Sequence, residues 1–88
     1  MMIIETERVI YIDLKHIIAE RLKARRVMMR LTQAELANAI GIPATSISHF
    51  ESITGTRKPS LENLVKLAYY LRVTTDYLLG KGFTNDFN

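Results

Sequence analysis

The 88-residue sequence contains no cysteine and no tryptophan, and only two prolines. Without cysteine the chain has neither a disulfide framework nor a thiolate metal site, which fits a reducing compartment. No apolar run approaches the roughly 18 residues of a membrane-spanning helix. The first residues also lack the basic start, long apolar centre and small-residue cleavage site of a signal peptide. These absences predict a cytoplasmic protein without a membrane segment.

Motifs of catalysis are missing too. The two histidines, His16 and His49, lack the spacing of metal ligands, and there is neither a Gly-rich phosphate loop nor a nucleophile elbow. We therefore expect no enzymatic activity, no metal and no cofactor. The hydrophobic content of 48% is typical of a globular chain. A chain of this length predicts one small domain with one core.

Residues 31–51 predict two short helices joined by a tight turn. Thr32 and Glu35 have the spacing of a capping box, in which each side chain accepts a hydrogen bond from the other residue's backbone N–H. Gly41 is suited to end the first helix, because a left-handed backbone is cheap only for glycine. Pro43 fits the first turn of the next helix. The first helix has an apolar stripe of Ala34, Leu36, Ala37 and Ile40.

The second helix of this stretch, Ala44–Glu51, has two different faces. Ile47 and Phe50 lie three residues apart and are predicted to face the core. The opposite face consists of small or polar residues, namely Ala44, Thr45, Ser48 and His49. A helix, a glycine turn and a short helix with a small polar outer face are typical of the helix-turn-helix arrangement.

The stretch 31–51 resembles the Cro/cI-type (XRE) family of phage and bacterial repressors. That family has the pattern L-T-Q-x-E-L-A, a hydrophobic-Gly turn, S-x-I-S, and an aromatic or aliphatic residue before Glu. The similarity continues through RKPSLE at 57–62 and TDYLLG at 75–80, so it covers residues 13–80. It implies an all-α, compact five-helix, lambda-repressor-like DNA-binding domain. Residues 1–12 would be an N-terminal extension and residues 81–88 a short tail.

The resemblance also implies which residues contact DNA. Base edges in the major groove would be contacted by Ala44, Thr45 and His49. The DNA backbone would be contacted by Gln33, Ser46, Ser48, Arg57 and Lys58. None of the first three is a bidentate reader, so specificity is modest or depends on DNA shape. An ordinary exposed side chain remains the alternative for Gln33 and for His49. Pro43 departs from the family, which often has a capping Ser or Thr there.

A structural ion pair between Arg26 and Glu51 is implied in the same way. In the family, an arginine near the end of the first helix pairs with the glutamate that ends the recognition helix. The alternative is a solvated Arg26.

Charge is unevenly distributed around this pair, since six basic residues but only two acidic ones lie between residues 13 and 30. The basic end of the first helix and Arg57-Lys58 would attract phosphate, although a solvated basic face is the commoner explanation for such a cluster.

The remaining segments supply the other predicted elements. Alternation along residues 8–13 predicts a short strand, which would pair with a second subunit, pack on its own domain or place Arg8 in the minor groove. The first helix runs from its cap Asp13 to about Arg30, and Ser60 and Thr74 cap the last two helices. The predicted packing residues are Ile18, Leu22, Val27, Met29, Leu61, Leu64, Val65, Ala68, Tyr69, Tyr70, Leu71 and Tyr77, while Leu78 and Leu79 serve the core or a dimer.

Two functions agree with these features. The first is a sequence-specific transcriptional regulator that binds double-stranded DNA, namely a repressor that binds a palindromic operator as a homodimer. Its two half-sites would lie about 34 Å apart. The second is a protein-binding module of the same fold, such as an antitoxin that holds its toxin or an adaptor for another regulator. In that case the N-terminal extension and the loop that contains Ile53 would be the docking surfaces.

Overall fold

In the part of the chain that the structure describes, two short strands precede five helices. A computed structural model describes residues 2–5, 8–11 and 13–80, so the predicted tail at 81–88 lies outside the described residues. The strands are β1 (Met2–Glu5) and β2 (Arg8–Tyr11). The helices are α1 (Leu14–Met28), α2 (Gln33–Ile40), α3 (Ala44–Glu51), α4 (Leu61–Leu71) and α5 (Thr75–Leu78). The predicted five-helix fold is confirmed.

The strand predicted from residues 8–13 has a partner within the chain. β1 and β2 pair antiparallel, with a register that runs from Met2 opposite Tyr11 to Glu5 opposite Arg8. The alternation along residues 8–13 predicts only one strand, whereas the structure has two. The apolar run at residues 2–4 was the available signal for β1. The extended segment is therefore a hairpin.

Side-chain caps start four of the five helices. The capping box is present, since Thr32 Oγ1 accepts from the Glu35 N–H at 3.0 Å and Glu35 Oε1 accepts from the Thr32 N–H at 2.8 Å. Gly41 ends α2 with a φ of 76°. The other three side-chain caps are those predicted at Asp13, Ser60 and Thr74.

Two arginines just beyond the ends of helices adopt the left-handed backbone conformation. α1 ends at Met28, two residues before the predicted end, and Arg30, two residues farther on, has a φ of 59°. Arg72, the residue after α4, has the same φ. Left-handed backbone is unfavourable for residues with a Cβ, so both positions carry local strain.

One face of each helix contributes to the core, and α4 contributes the most residues. Its buried residues are Leu22, Leu36, Ala37, Ile40, Ile47, Phe50, Leu64, Leu67, Ala68, Leu71 and Leu78. Leu79, Tyr77 and Met29 pack against this cluster and are partly buried. Most of the predicted core is confirmed, including Ile18, which is also buried.

The predicted apolar face of α4 was too wide. Leu61, Val65 and Tyr69 are 82%, 58% and 85% exposed, and Tyr70 is also exposed. Only one stripe of a helix can face the core, and here that stripe follows residues 64, 67, 68 and 71. The three most exposed residues are four apart on another side of the helix. For the same reason Val27, predicted to be buried on α1, is 55% exposed, and Ala34 on α2 is exposed.

Candidate nucleic-acid interface

The short helix α3 presents a buried face and an open face. Ile47 and Phe50 are buried in the core. The exposed residues are the predicted base readers Ala44, Thr45 and His49, together with Ser48, while Ser46 is half-buried. The structure therefore brings the three predicted base readers to one exposed surface.

Pro43 starts α3 without a side-chain hydrogen bond. Its carbonyl accepts from the Ser46 N–H at 3.0 Å, so the first turn is closed by the backbone alone. This agrees with the sequence, since proline has neither a hydroxyl nor an N–H to contribute. The helix therefore depends on contacts elsewhere for its position.

Glu51 is the buried junction between three helices. Arg26 Nε donates to Glu51 Oε2 at 2.6 Å, and Arg26 Nη2 donates to Oε1 at 3.0 Å. Gln33 Nε2 donates to the same Oε1 at 3.0 Å. The hydrogen bond to Glu51 raises the pKa of Arg26, the attraction between the charges adds to this, and burial opposes it. The predicted ion pair is therefore present, and it joins α1, α2 and the end of α3.

Lys15 holds the same end of α3 from the start of α1. Its Nζ lies 3.2, 3.1 and 2.5 Å from the carbonyl oxygens of His49, Phe50 and Ser52. Three acceptors match the three donors of an ammonium group, and a cation is favourable at a helix C-terminus. Burial lowers the pKa of Lys15, and the nearby Asp13 carboxylate opposes this shift. This cap could not be predicted from local sequence, because its first acceptor lies 34 residues away from Lys15.

Two arginines of α1 cap the C-terminal ends of α4 and α5. Arg25 Nε donates to the carbonyl of Leu71, the last residue of α4, at 2.8 Å. Arg21 Nη1 donates to the carbonyl of Tyr77 in α5 at 2.9 Å, and its guanidinium lies 4.8 Å from the centre of that ring. These contacts bind α1 to the ends of α4 and α5.

Most of the basic residues between positions 13 and 30 contact the protein itself. The sequence left two interpretations of this cluster open, namely attraction to phosphate by the basic end of the first helix and a solvated basic face. Four of the six, namely Lys15, Arg21, Arg25 and Arg26, donate to acceptors within the protein. Lys23 and Arg30 are the two that lie exposed without such a contact among the described residues.

The loop after α3 returns Arg57 to the exposed face of that helix. Arg57 Nη1 lies 2.8 Å from His49 Nδ1, and both side chains are exposed. The loop is closed by a turn in which Ser52 Oγ accepts from the Gly55 N–H at 3.1 Å. Lys58 is exposed beside Arg57. Arg57, a predicted contact to the DNA backbone, is therefore hydrogen-bonded to His49, a predicted contact to a base. This hydrogen bond was not predicted from the sequence.

In the part of the chain that the structure describes, no group of three or more His, Asp or Glu side chains is placed to bind a metal ion. None of the described helices combines the length and apolar character needed to cross a bilayer.

Comparison of the sequence with known families and proteins gives consistent matches. The family described as Helix-turn-helix matches residues 22–78. The transcriptional repressor RstR of the cryptic phage CTXphi in Vibrio cholerae is 42% identical over 69 residues, which cover 78% of this chain and 60% of RstR. Repressor protein C2 of Salmonella phage P22 is 35% identical over 63 residues, which cover 72% of this chain and 28% of C2. The chain therefore spans less than two thirds of these relatives.

Solved structures resemble the fold at a similar level of identity. A hypothetical transcription factor from Neisseria, NHTF, superposes with a TM-score of 0.69 and 31% identity, over 76% of this chain and 75% of NHTF. The biofilm regulator SinR, solved in complex with DNA, gives a TM-score of 0.64 and 31% identity, over 70% of this chain and 97% of SinR.

Proposed function

Because the chain belongs to the Cro/cI-type (XRE) family of helix-turn-helix transcriptional regulators, we propose that it represses transcription by binding a specific site on double-stranded DNA. Proteins of this family bind DNA and are not enzymes. The observation that carries the proposal is the exposed outer face of α3, held in place by Lys15 and Arg26. Two relatives whose names contain the word repressor support the direction of the effect.

The residues proposed to contact DNA fall into two groups, those that contact base edges and those that contact phosphates. Ala44, Thr45 and His49 on α3 would contact base edges in the major groove. Phosphates would be contacted by Gln33, Ser46, Ser48, Arg57 and Lys58. Gln33 also donates to Glu51, so its position on DNA would follow that of α3. Since only Arg57 and Lys58 carry charge in this set, the number of released counterions and the salt dependence would be small.

We further propose that the protein binds a palindromic operator as a homodimer, with half-sites about one helical turn apart. Leu78 is fully buried and Leu79 packs against the core, so α5 offers little apolar surface to a second subunit. The exposed residues Leu61, Val65 and Tyr69 on α4 support a contact there instead. A small domain also gains stability when a second copy covers such residues.

Light scattering after gel filtration tests the dimer. The unaltered protein should have twice the mass of the chain, and Tyr69→Glu should have the mass of one chain. Ala24→Glu is the matched control, because it also adds one negative charge in place of a neutral side chain, at an exposed position of α1. A monomeric unaltered protein, or a dimeric Tyr69→Glu, would exclude this surface.

A protein-binding role is the second candidate. Ile53 is 54% exposed and, with Val27, borders a cleft of about 450 Å³ between α1 and the loop after α3. Such a cleft is suited to an apolar segment of a toxin or of another regulator. This candidate becomes the preferred function only when DNA binding fails.

The first experiment is selection of binding duplexes from a random DNA library at near-physiological salt. An enriched inverted repeat with centres about one helical turn apart would support the dimeric operator. Absence of enrichment, with protein shown to be folded by circular dichroism and again at lower salt, would exclude sequence-specific DNA binding and favour the second candidate.

A further inference from the structure

The contact between Arg57 and His49 determines which nitrogen of the histidine ring carries the proton. A guanidinium carries only donors. At 2.8 Å from Arg57 Nη1, His49 Nδ1 must therefore accept the hydrogen bond. A ring whose Nδ1 accepts is neutral, with its single proton on Nε2. The other edge of the His49 ring is thus a hydrogen-bond donor.

We propose that Arg57 is a positioning residue that sets the base preference of His49. This inference rests on the proposed function, since it concerns a base in the major groove. A donor at Nε2 pairs with an acceptor on a base edge, which guanine offers at N7 and O6, adenine at N7 and thymine at O4. The major-groove edge of cytosine offers a donor at N4 and is rejected. The base that faces His49 is therefore any base except cytosine.

Both partners of this contact are held by other parts of the fold. The His49 carbonyl accepts from Lys15, which fixes the backbone that carries the ring. The turn between Ser52 and Gly55 brings the chain back toward α3. Arg57 has five N–H donors and uses one of them here, so four remain for a phosphate. Arg57 can therefore bind a DNA phosphate and orient the His49 ring at the same time.

This role separates Arg57 from its neighbour. Lys58 is also exposed and carries the same charge, but it makes no hydrogen bond or ion pair with the residues that the structure describes. Phosphate contacts add affinity without sequence choice. Lys58 would act only in that way, whereas Arg57 would also change which base is preferred. The pair Arg57→Ala and Lys58→Ala therefore provides matched variants.

The first test needs no DNA. Long-range ¹H–¹⁵N spectra of the full chain, at a pH where imidazole is neutral, report which ring nitrogen of His49 carries the proton. We expect the proton on Nε2, with the Nδ1 resonance shifted by the hydrogen bond. Arg57→Ala should remove this shift, and Lys58→Ala should leave it unchanged. A proton on Nδ1, or an unchanged Nδ1 resonance in Arg57→Ala, would overturn the proposal.

The second test measures base preference. Duplex selection with the unaltered protein should show cytosine depleted at one position of each half-site. Arg57→Ala should reduce that depletion about 3- to 10-fold, as expected for the loss of one oriented hydrogen bond. Lys58→Ala should lower affinity for all duplexes and keep the depletion. If Arg57→Ala binds more weakly but keeps the same preference at every position, this inference is wrong while the proposed function stands. If the unaltered protein selects no motif, the proposed function itself fails.

Discussion

Arg26 and Glu51 form a side-on ion pair that ties α1 to the last residue of α3. Their side chains are only 11% and 3% exposed, and the two N–O distances are 2.6 and 3.0 Å. Arg26 also donates to the carbonyl of Leu31 at 2.6 Å, so its guanidinium is hydrogen-bonded on both sides. A buried charge without its partner is far less favourable than the intact pair.

The first prediction concerns this pair. Glu51→Ala should lower the free energy of unfolding by about 3–5 kcal/mol, because it leaves the Arg26 charge buried without a counter-charge. The double variant Arg26→Met/Glu51→Met should recover most of that loss. Lys66→Ala is the control, since it breaks an exposed pair with Glu62 and should change stability by less than about 1 kcal/mol. Urea unfolding followed by circular dichroism measures all three, and a loss below about 1 kcal/mol in Glu51→Ala would contradict the prediction.

The second prediction concerns the cap at the end of α3. Lys15→Met keeps an unbranched apolar side chain of nearly the same length but removes the donors to three carbonyls. It should destabilise the protein by about 1.5–3 kcal/mol, as hydrogen bonds from a charged group usually contribute. Lys23→Met on the exposed side of the same helix should have little effect. Equal melting temperatures of the two variants would show that the cap does not stabilise the fold.

The third prediction uses the left-handed residue that ends α4. Arg72→Gly should raise the free energy of unfolding by about 0.5–1 kcal/mol, because the relief of left-handed strain exceeds the added entropy of glycine in the unfolded chain. Arg72→Ala removes the same side chain and keeps the strain. It should not stabilise, and a comparable gain from alanine would assign the effect to the side chain.

The fourth prediction tests the reading surface. Thr45→Ala should weaken binding to the selected operator by about 1–3 kcal/mol if Thr45 reads a base. Its side chain is exposed, so stability should change by less than about 0.5 kcal/mol. Affinity for an unrelated duplex is the internal control and should not change. Unaltered affinity and unaltered sequence preference would remove Thr45 from the base contacts.

Local signals in the sequence predicted the features that depend on a few neighbouring residues. The capping box at Thr32, the left-handed Gly41 and the extent of α3 all follow from residue types within one helical turn of each other. The three other helix caps followed from the same rules. Such features need no knowledge of what packs against them.

Features that depend on distant packing were less predictable. The apolar residues of α4 were assigned to one wide face, and only the structure shows that Val65 and Tyr69 lie outside the buried stripe. The pairing of Arg26 with Glu51 came from the family resemblance alone. Neither Lys15 at the end of α3 nor Arg57 beside His49 was foreseen, because a flexible cationic side chain has many potential acceptors and the sequence does not rank them.

The hydrogen bonds that Lys15, Arg21 and Arg25 of α1 donate to the ends of later helices also determine when the domain can complete its folding during synthesis. The ribosome delivers α1 first, but the acceptors for Lys15, Arg25 and Arg21 follow 34 to 37, 46 and 56 residues later. Contacts over such separations require most of the chain before they form. A nascent chain that ends before Tyr77 would therefore lack the acceptor of Arg21 and hold an unfinished domain.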